Sequence, residues 1–110
     1  MIITNATFGG LTGSTSNLSG FHFERCSFEE MQFSGNWQGC TFLWCDFTDC
    51  ALDGADLRGA VFQGCNLKWV DVTDAIVDGE TTFLDCSIDE VKGWNDLAVG
   101  CRIASAWIEA

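Results

Sequence analysis

The residues that could carry chemistry in this sequence are seven cysteines, one histidine and sixteen acids. Zinc and related sites draw on closely spaced cysteines and histidines, but consecutive cysteines here lie between 5 and 21 residues apart and no histidine joins them. His22 has no serine or cysteine partner that its position implies. Residues 9–14 (GGLTGS) lack the lysine of a phosphate-binding loop. The sequence therefore predicts no enzyme, no cofactor and no metal site.

Charge and composition point to a protein partner. Five basic residues against the sixteen acids give a formal net charge of −11, so we expect no direct binding to nucleic acid or to anionic membranes. We find no signal peptide and no run near the ~20 apolar residues of a membrane span. An odd number of cysteines fits a reducing cytoplasm, that of a bacterium or, for a phage-encoded protein, that of its host. The predicted partner has a basic surface.

Large apolar residues recur every five positions, with one step of four after Phe33 and one step of six after Val77. This period fits neither an α-helix nor a long strand. Within each quintet the central residue and the residue two before it share one face of an extended segment, and the chain must then turn. The central residues are Leu18, Phe23, Phe28, Phe33, Trp37, Phe42, Phe47, Leu52, Leu57, Phe62, Leu67, Val72, Val77, Phe83 and Ile88.

A second period shows how the quintets stack. Four central phenylalanines (Phe23, Phe42, Phe62, Phe83) are separated by 19, 20 and 21 residues, and Cys26, Cys45, Cys65 and Cys86 repeat the same separations. Every fourth quintet therefore stacks on the same side. The sequence predicts a single-domain tube (1–110) of about four coils with four sides, which we number in chain order from the side that contains Phe23.

The quintets resemble the pentapeptide-repeat family, whose consensus is A(D/N)LXX. The closest matches begin at Cys45, Ala55, Cys65 and Val70 (CDF, ADL, CNL, VDV), and the resemblance covers residues 16–90. It implies an all-β solenoid, a right-handed quadrilateral β-helix, with a C-terminal capping α-helix and a homodimer as common features of the family.

The two ends are predicted to close the tube. Phe8 fits a central position, but Gly9, Gly10 and Gly13 interrupt the pattern, so we expect residues 1–15 to form an irregular cover. Residues 91–110 carry apolar side chains at helical spacing and are predicted to form the capping helix, with tryptophans that extend into a dimer contact. Those apolar positions are Trp94, Leu97, Ala98, Cys101, Ala104, Trp107 and Ile108.

The acids are predicted to concentrate on two adjoining sides. Side 2, which holds the cysteine ladder, and side 3 carry nine acids against Lys68, whereas sides 1 and 4 carry five acids against Arg25 and Arg58. The nine predicted partner-binding acids are Glu29, Glu30, Asp46, Asp49, Asp53, Asp71, Asp74, Asp89 and Glu90.

Two functions remain open from the sequence. Pentapeptide-repeat proteins of similar charge act as DNA mimics, and the best-known group binds DNA gyrase, so the resemblance implies an inhibitor or modulator that occupies a basic nucleic-acid-binding surface. Gyrase or another topoisomerase is one target, and a host defence complex such as a CRISPR effector is another. The alternative is a scaffolding module without mimicry, in which the acids serve solubility and the exposed aromatics Trp44, Trp69, Trp94 and Trp107 form the interface.

Overall fold

The computed structural model describes residues 2–9, 19–29, 32 and 35–107, the last three of these by their backbone alone. In these residues the chain forms eight strands and one short helix. In chain order the elements are β1 (Ile2–Thr4), β2 (Thr7–Gly9), β3 (His22–Glu24), β4 (Ser27–Glu29), β5 (Thr41–Leu43), β6 (Val61–Gln63), β7 (Thr82–Ser87), α1 (Trp94–Ala98) and β8 (Arg102–Trp107).

Side 1 is a six-stranded parallel sheet in the order β1-β3-β5-β6-β7-β8. Its register aligns Ile3, Phe23, Phe42, Phe62 and Phe83, one from each successive coil. The phenylalanines that recur about every twenty residues in the sequence are thus directly paired on neighbouring hydrogen-bonded strands.

The other three sides are built from shorter parallel pairings of the same kind. β2 pairs with β4 on side 2, and single bridges continue this ladder from Ser27 through Asp46 and Asn66 to Ser87. Further bridges join Gln32, Ala51, Asp71 and Lys92 on side 3, and Asn36, Asp56 and Ile76 on side 4. The predicted four-sided, all-β solenoid of about four turns is confirmed.

The corners between the sides are made by the residue two after each central residue. Most of the described residues at these corners, Gly79 being an exception, have positive φ, from 52° to 79°, which reverses the local twist and turns the next quintet inward. Glycine adopts this conformation without steric cost, and Asn and Asp tolerate it better than most other residues. Such residues fill many corners, but Trp44 and Trp69 stand at two of them with φ of 56° and 62°.

Stacked aromatic rings fill the tube. Phe42 and Phe62 lie 4.9 Å apart between ring centroids, and Phe62 and Phe83 lie 4.8 Å apart, both nearly coplanar. A second column on side 2 includes Phe28 and Phe47, stacked at 4.9 Å. These separations equal the ~4.8 Å spacing of hydrogen-bonded strands, so the backbone ladder brings the rings into direct contact.

The cysteines two positions before central residues are small core residues, as predicted. All six are buried free thiols: Cys26, Cys40, Cys45, Cys50, Cys65 and Cys86. Five of them donate hydrogen bonds to backbone carbonyls, such as that of Cys50 Sγ to the Phe28 carbonyl at 2.9 Å. These thiols therefore fill the narrow interior and also satisfy buried acceptors.

The N-terminal prediction was wrong where the structure describes it. Residues 2–9 belong to the first coil, in which β1 pairs with β3 and β2 pairs with β4. Phe8 stacks on Phe28 at 5.2 Å, which explains why this coil is ordered strand and not an irregular cover. Most of the glycine-rich segment lies outside the described residues.

The C-terminal helix is confirmed but is much shorter than predicted. α1 ends at Ala98, and residues 102–107 form β8, parallel to β7. Gly100 follows the helix and has a low helix propensity, and the free edge of β7 offers backbone groups that a longer helix would leave unpaired. α1 still covers the last coil, because Leu97 is buried and Trp94 packs edge-on against Phe83 at 5.2 Å.

Two corner glycines allow a matched test of how the Trp44 ring packs on the next coil. Gly54 and Gly64 have similar φ, 71° and 66°, but a Cβ at Gly54 meets nothing, whereas a Cβ at Gly64 would overlap the Trp44 ring. We expect Gly54→Ala to lower the free energy of unfolding by about 1 kcal/mol through backbone strain. Gly64→Ala should cost more and displace Trp44. Urea unfolding and the Trp44 indole N–H signal in NMR spectra measure the two effects, and equal unfolding midpoints with an unmoved indole would contradict the packing.

Candidate protein-binding surface

Six of the nine predicted acids project into solvent on sides 2 and 3 without a salt bridge to any described residue. They are Glu29, Asp46, Asp49, Asp53, Asp74 and Glu90. Asp71 also lies on side 3, half-buried between Ala51 and Lys92. Glu30 lies outside the described residues. The structure therefore places the six exposed acids on adjoining sides without a salt bridge to a described residue.

The acids immediately before central residues also have a structural role. Asp46 Oδ1 accepts hydrogen bonds from the backbone N–H of Thr48 at 3.0 Å and from its hydroxyl at 2.6 Å. Asp71 Oδ1 accepts from the backbone N–H of Thr73 at 2.9 Å. Asn66 makes the same bond to Lys68, so the bond needs an Oδ1 atom and not a charge.

Three charges differ from the sequence prediction. Asp89 is only 9% exposed, because it lies between neighbouring side chains in a depression on side 2 lined also by Lys68 and Ser87, and so it does not belong to the exposed acidic surface. Side 3 was predicted to carry no base, but the register places Lys92 beside Asp71. Asp96, which the repeat pattern did not include, lines one depression together with Asp74.

The basic residues of sides 1 and 4 lie beside acids of their own side. Arg58 Nη2 lies 2.8 Å from Asp56 Oδ2, and Arg25 Nη1 lies 3.9 Å from Glu24 Oε1. His22 Nε2 is 3.5 Å from the same Glu24 carboxylate. The two arginine contacts compensate acids on sides 1 and 4, which increases the contrast with sides 2 and 3.

Trp44 and Trp69 border side 2 at its two corners. Both are large exposed aromatics, at 54% and 53% exposure, and both have the left-handed corner conformation. The Trp44 ring lies across Gly64 of the next coil, and Lys68 Nζ lies 5.0 Å from the centroid of the Trp69 ring. The structure thus places them where a partner bound to side 2 would meet them.

The two C-terminal tryptophans are placed differently. Trp94 is half-buried against Phe83 and serves the core of the last coil. The backbone of Trp107 lies in β8, opposite Ser87, and its side chain lies outside what the structure describes. Their predicted interface role remains a prediction.

The described residues contain no group of three or more His, Cys, Asp or Glu side chains that could hold a metal ion. Burial raises the pKa of the half-buried Cys101 thiol to about 11, which keeps it protonated and unreactive at neutral pH. Among the described residues, no helix is long and apolar enough to cross a membrane.

Comparison with known proteins identifies the repeat and the fold. The family model for pentapeptide repeats matches residues 40–79 in eight copies. Full-length QnrB1, a plasmid-mediated fluoroquinolone resistance protein, superposes with a TM-score of 0.74 at 21% identity over 79% of this chain and 44% of its own. A trypsin-treated variant of QnrB1 superposes with a TM-score of 0.78 at 20% identity over 98% of this chain and 53% of its own. At these identities the likeness to QnrB1 shows the fold.

A pentapeptide-repeat protein of the Arabidopsis thaliana thylakoid lumen superposes with a TM-score of 0.73 at 26% identity, over 78% of this chain and 60% of its own. The chain thus spans between 44% and 60% of the length of these three structures. Comparison with curated protein sequences finds no match.

The hydrogen bonds of Asp71 predict a dependence of stability on pH. Hydrogen bonding from Thr73, followed by the nearby charge of Lys92, lowers the pKa of Asp71 below the ordinary aspartate range. Its charged form therefore stabilises the fold above pH ~4, and this contribution is lost as the pH falls through the folded-state pKa.

We expect the urea midpoint of the wild-type chain to fall more between pH 6 and pH 3 than that of Asp71→Asn, which keeps the Oδ1 acceptor. Asp53→Asn is the control, since Asp53 is exposed and accepts no hydrogen bond from a described residue. Equal pH dependence in the Asp71→Asn variant and the wild type would contradict the assignment.

Proposed function

We propose that this chain, whose residues 40–79 match the family model for pentapeptide repeats, is an acidic DNA mimic that binds the basic nucleic-acid-binding surface of a target protein and inhibits or modulates it. The observation that carries the proposal is the set of six exposed carboxylates on sides 2 and 3 without salt bridges to described residues. Its role is binding and not catalysis.

The magnitude of the charge supports mimicry. The six strands of side 1 are separated by five spacings of ~4.8 Å, so the tube spans about 24 Å. Duplex DNA presents one negative charge per ~1.7 Å of axis, or roughly 14 over that length. The chain carries a formal net charge of −11, so its charge per unit length approaches that of the duplex.

The mechanism we propose is competition. Lysine and arginine side chains that normally hold phosphates pair instead with the carboxylates of sides 2 and 3. The backbone ladder and the corner turns hold these carboxylates on a rigid frame, so little order must be imposed when the partner binds. Because the contacts are ionic and partly exposed, the affinity should fall steeply with salt.

Two kinds of target are proposed. DNA gyrase or another topoisomerase is the target that the family resemblance implies. A host defence complex such as a CRISPR effector is the second, for the case of a phage-encoded protein.

Two further features belong to the proposal. We propose a homodimer formed through the C-terminal end of the tube, where β8 is the last strand of the six-stranded sheet and α1 lies against the last coil. We also propose a reducing cytoplasm as the site of action, because all seven cysteines are free thiols.

A scaffolding module is the second candidate, and the exposed aromatics favour it. Side 1 carries the outward apolar residues Leu43, Val61 and Leu84 next to the exposed Trp44. A partner that docks through this apolar surface would bind with little dependence on salt. The two candidates therefore differ in which substitutions weaken binding.

The proposal is tested by removing charge without removing structure. A quadruple variant combines Asp46→Asn, Asp49→Asn, Asp71→Asn and Asp74→Asn. The first and third substitutions keep the Oδ1 atom that accepts the turn hydrogen bond, and the other two place Asn, which tolerates the corner conformation. We expect the quadruple variant to stay folded, with a urea midpoint only slightly below that of the wild type because Asp71 loses its stabilising charge, but to lose inhibition of DNA supercoiling by gyrase, or binding to DNA-binding proteins recovered from bacterial lysate.

A second quadruple variant controls for net charge. Glu24→Gln, Asp56→Asn, Glu80→Gln and Asp85→Asn remove the same four charges from sides 1 and 4 and should retain most of the activity. Equal loss of activity in both variants would mean that the net charge, and not the position of the acids on sides 2 and 3, determines binding. Full activity of the first variant, with loss in Trp44→Ala and Trp69→Ala, would establish the scaffolding function instead.

A further inference from the structure

Trp69 occupies a corner where the fold gains little from tryptophan. The residue has φ of 62° and 53% exposure, so it combines an unfavourable backbone conformation with an exposed aromatic ring. Glycine occupies several equivalent corners, including Gly54, Gly59 and Gly64, where φ lies between 66° and 73°. Contact with a partner therefore explains a tryptophan at this corner better than the stability of the tube does.

The neighbouring corners in the same column are acidic. Asp49 lies one coil before Trp69 and Glu90 one coil after it, as shown by the hydrogen bonds from the Asp49 N–H to the Lys68 carbonyl and from the Trp69 N–H to the Asp89 carbonyl. Adjacent coils are ~4.8 Å apart, so both carboxylates lie within reach of a cation on the ring. Neither carboxylate makes a salt bridge to a described residue.

The ring already holds a cation of its own chain. Lys68 Nζ lies 5.0 Å from the centroid of the Trp69 ring, inside the ~6 Å range of cation–π attraction. The ring thus attracts a cation, and Lys68 is the side chain that a charged group of the partner would displace.

Trp44 shows that this arrangement is not common to every corner tryptophan. It matches Trp69 in exposure and backbone conformation. Its own column, however, contains Arg25 one coil before and Gly64 one coil after, and its ring lies across Gly64. Trp44 therefore lacks the two flanking carboxylates.

We propose that the Trp69 corner binds an arginine side chain of the partner, with the guanidinium stacked on the indole and paired with Asp49 or Glu90. Arginine suits this surface because its planar guanidinium stacks on aromatic rings and pairs with carboxylates in bidentate geometry, whereas the lysine ammonium is a compact, strongly hydrated charge. The inference rests on the proposed function, since a basic protein surface supplies the arginine.

The test compares hexa-arginine with hexalysine peptides, which carry equal charge. Each peptide is titrated into the full ¹⁵N-labelled chain at low salt, and the indole N–H signals of Trp69 and Trp44 are followed by NMR. We expect hexa-arginine to bind the wild type about two- to fivefold more tightly than hexalysine and to shift the Trp69 signal more than the Trp44 signal.

Trp69→Leu should remove the preference for arginine, because it keeps an apolar side chain but loses the aromatic ring. Trp69→Gly, which accepts the corner φ without strain, is the second variant should Leu disturb the fold. Trp44→Leu is the matched control and should keep the preference. An unchanged preference in both Trp69 variants, or an equal loss in Trp44→Leu, would overturn the inference.

The titration also separates this inference from the function on which it rests. If both peptides bind the wild type with equal affinity, the basic partner stands and the arginine site is wrong. If neither peptide binds, both proposals are wrong.

Lys68 provides an independent check. Lys68→Ser frees the ring and adds one unit of negative charge, and Lys92→Ser changes the charge equally at a position on side 3 away from Trp69. We expect Lys68→Ser to raise the affinity for hexa-arginine more than Lys92→Ser does. Equal increases would show that the gain comes from net charge alone and would count against the site.

Discussion

The structure depends on one constraint: each coil must return the chain to hydrogen-bonding distance above the previous coil after about twenty residues. The parallel ladders on all four sides satisfy the backbone groups of one coil with those of the next. The corners make this return possible, because a residue with positive φ ends most of the short extended segments. Ring stacking follows from the same spacing, and so does the burial of a small side chain two positions before each central residue.

This constraint also organises the surface. Each quintet presents the residues immediately before and after its centre, and the corner residue, to solvent, and the ladder aligns equivalent positions from coil to coil. A charge placed at one quintet is therefore repeated as a column with a spacing of ~4.8 Å. Because the core uses only two positions in five, the outward positions are free to carry a binding surface without cost to packing.

The sequence predicted the parts of the fold that the repeat determines, and it failed where other interactions decide. The phenylalanine and cysteine ladders were sufficient for the four sides and the register, because like residues stack at like positions. Ile3 and Phe8 lie five residues apart and carry the signal of the first coil, but the glycines after Phe8 obscured that signal. At the other end, helical spacing from Trp94 to Cys101 fitted a longer helix, but the open edge of β7 draws residues 102–107 into a strand.

The same distinction applies to the candidate site. The repeat position was enough to place Asp46, Asp49, Asp53 and Asp74 outside the tube, but the burial of Asp89 depends on side chains from two coils. Lys92 lies on side 3 because it bridges to Asp71, and the repeat pattern did not predict this bridge. Asp96 lies on the helix, outside the repeat, so no pattern linked it to Asp74.

The acids can be divided by what the fold requires of them, and this division bears on function. Before a central residue, Asp46 and Asp71 accept a turn hydrogen bond, so the repeat itself explains their side chains although not their charge. Glu29 and Asp53 follow central residues and accept no hydrogen bond from a described residue. Glu90 occupies a corner, with φ of 54°, that glycine would fill with less strain. The repeat consensus therefore accounts for only part of the acidity. Glu29, Asp53 and Glu90 lie on sides 2 and 3 and make no salt bridge to a described residue.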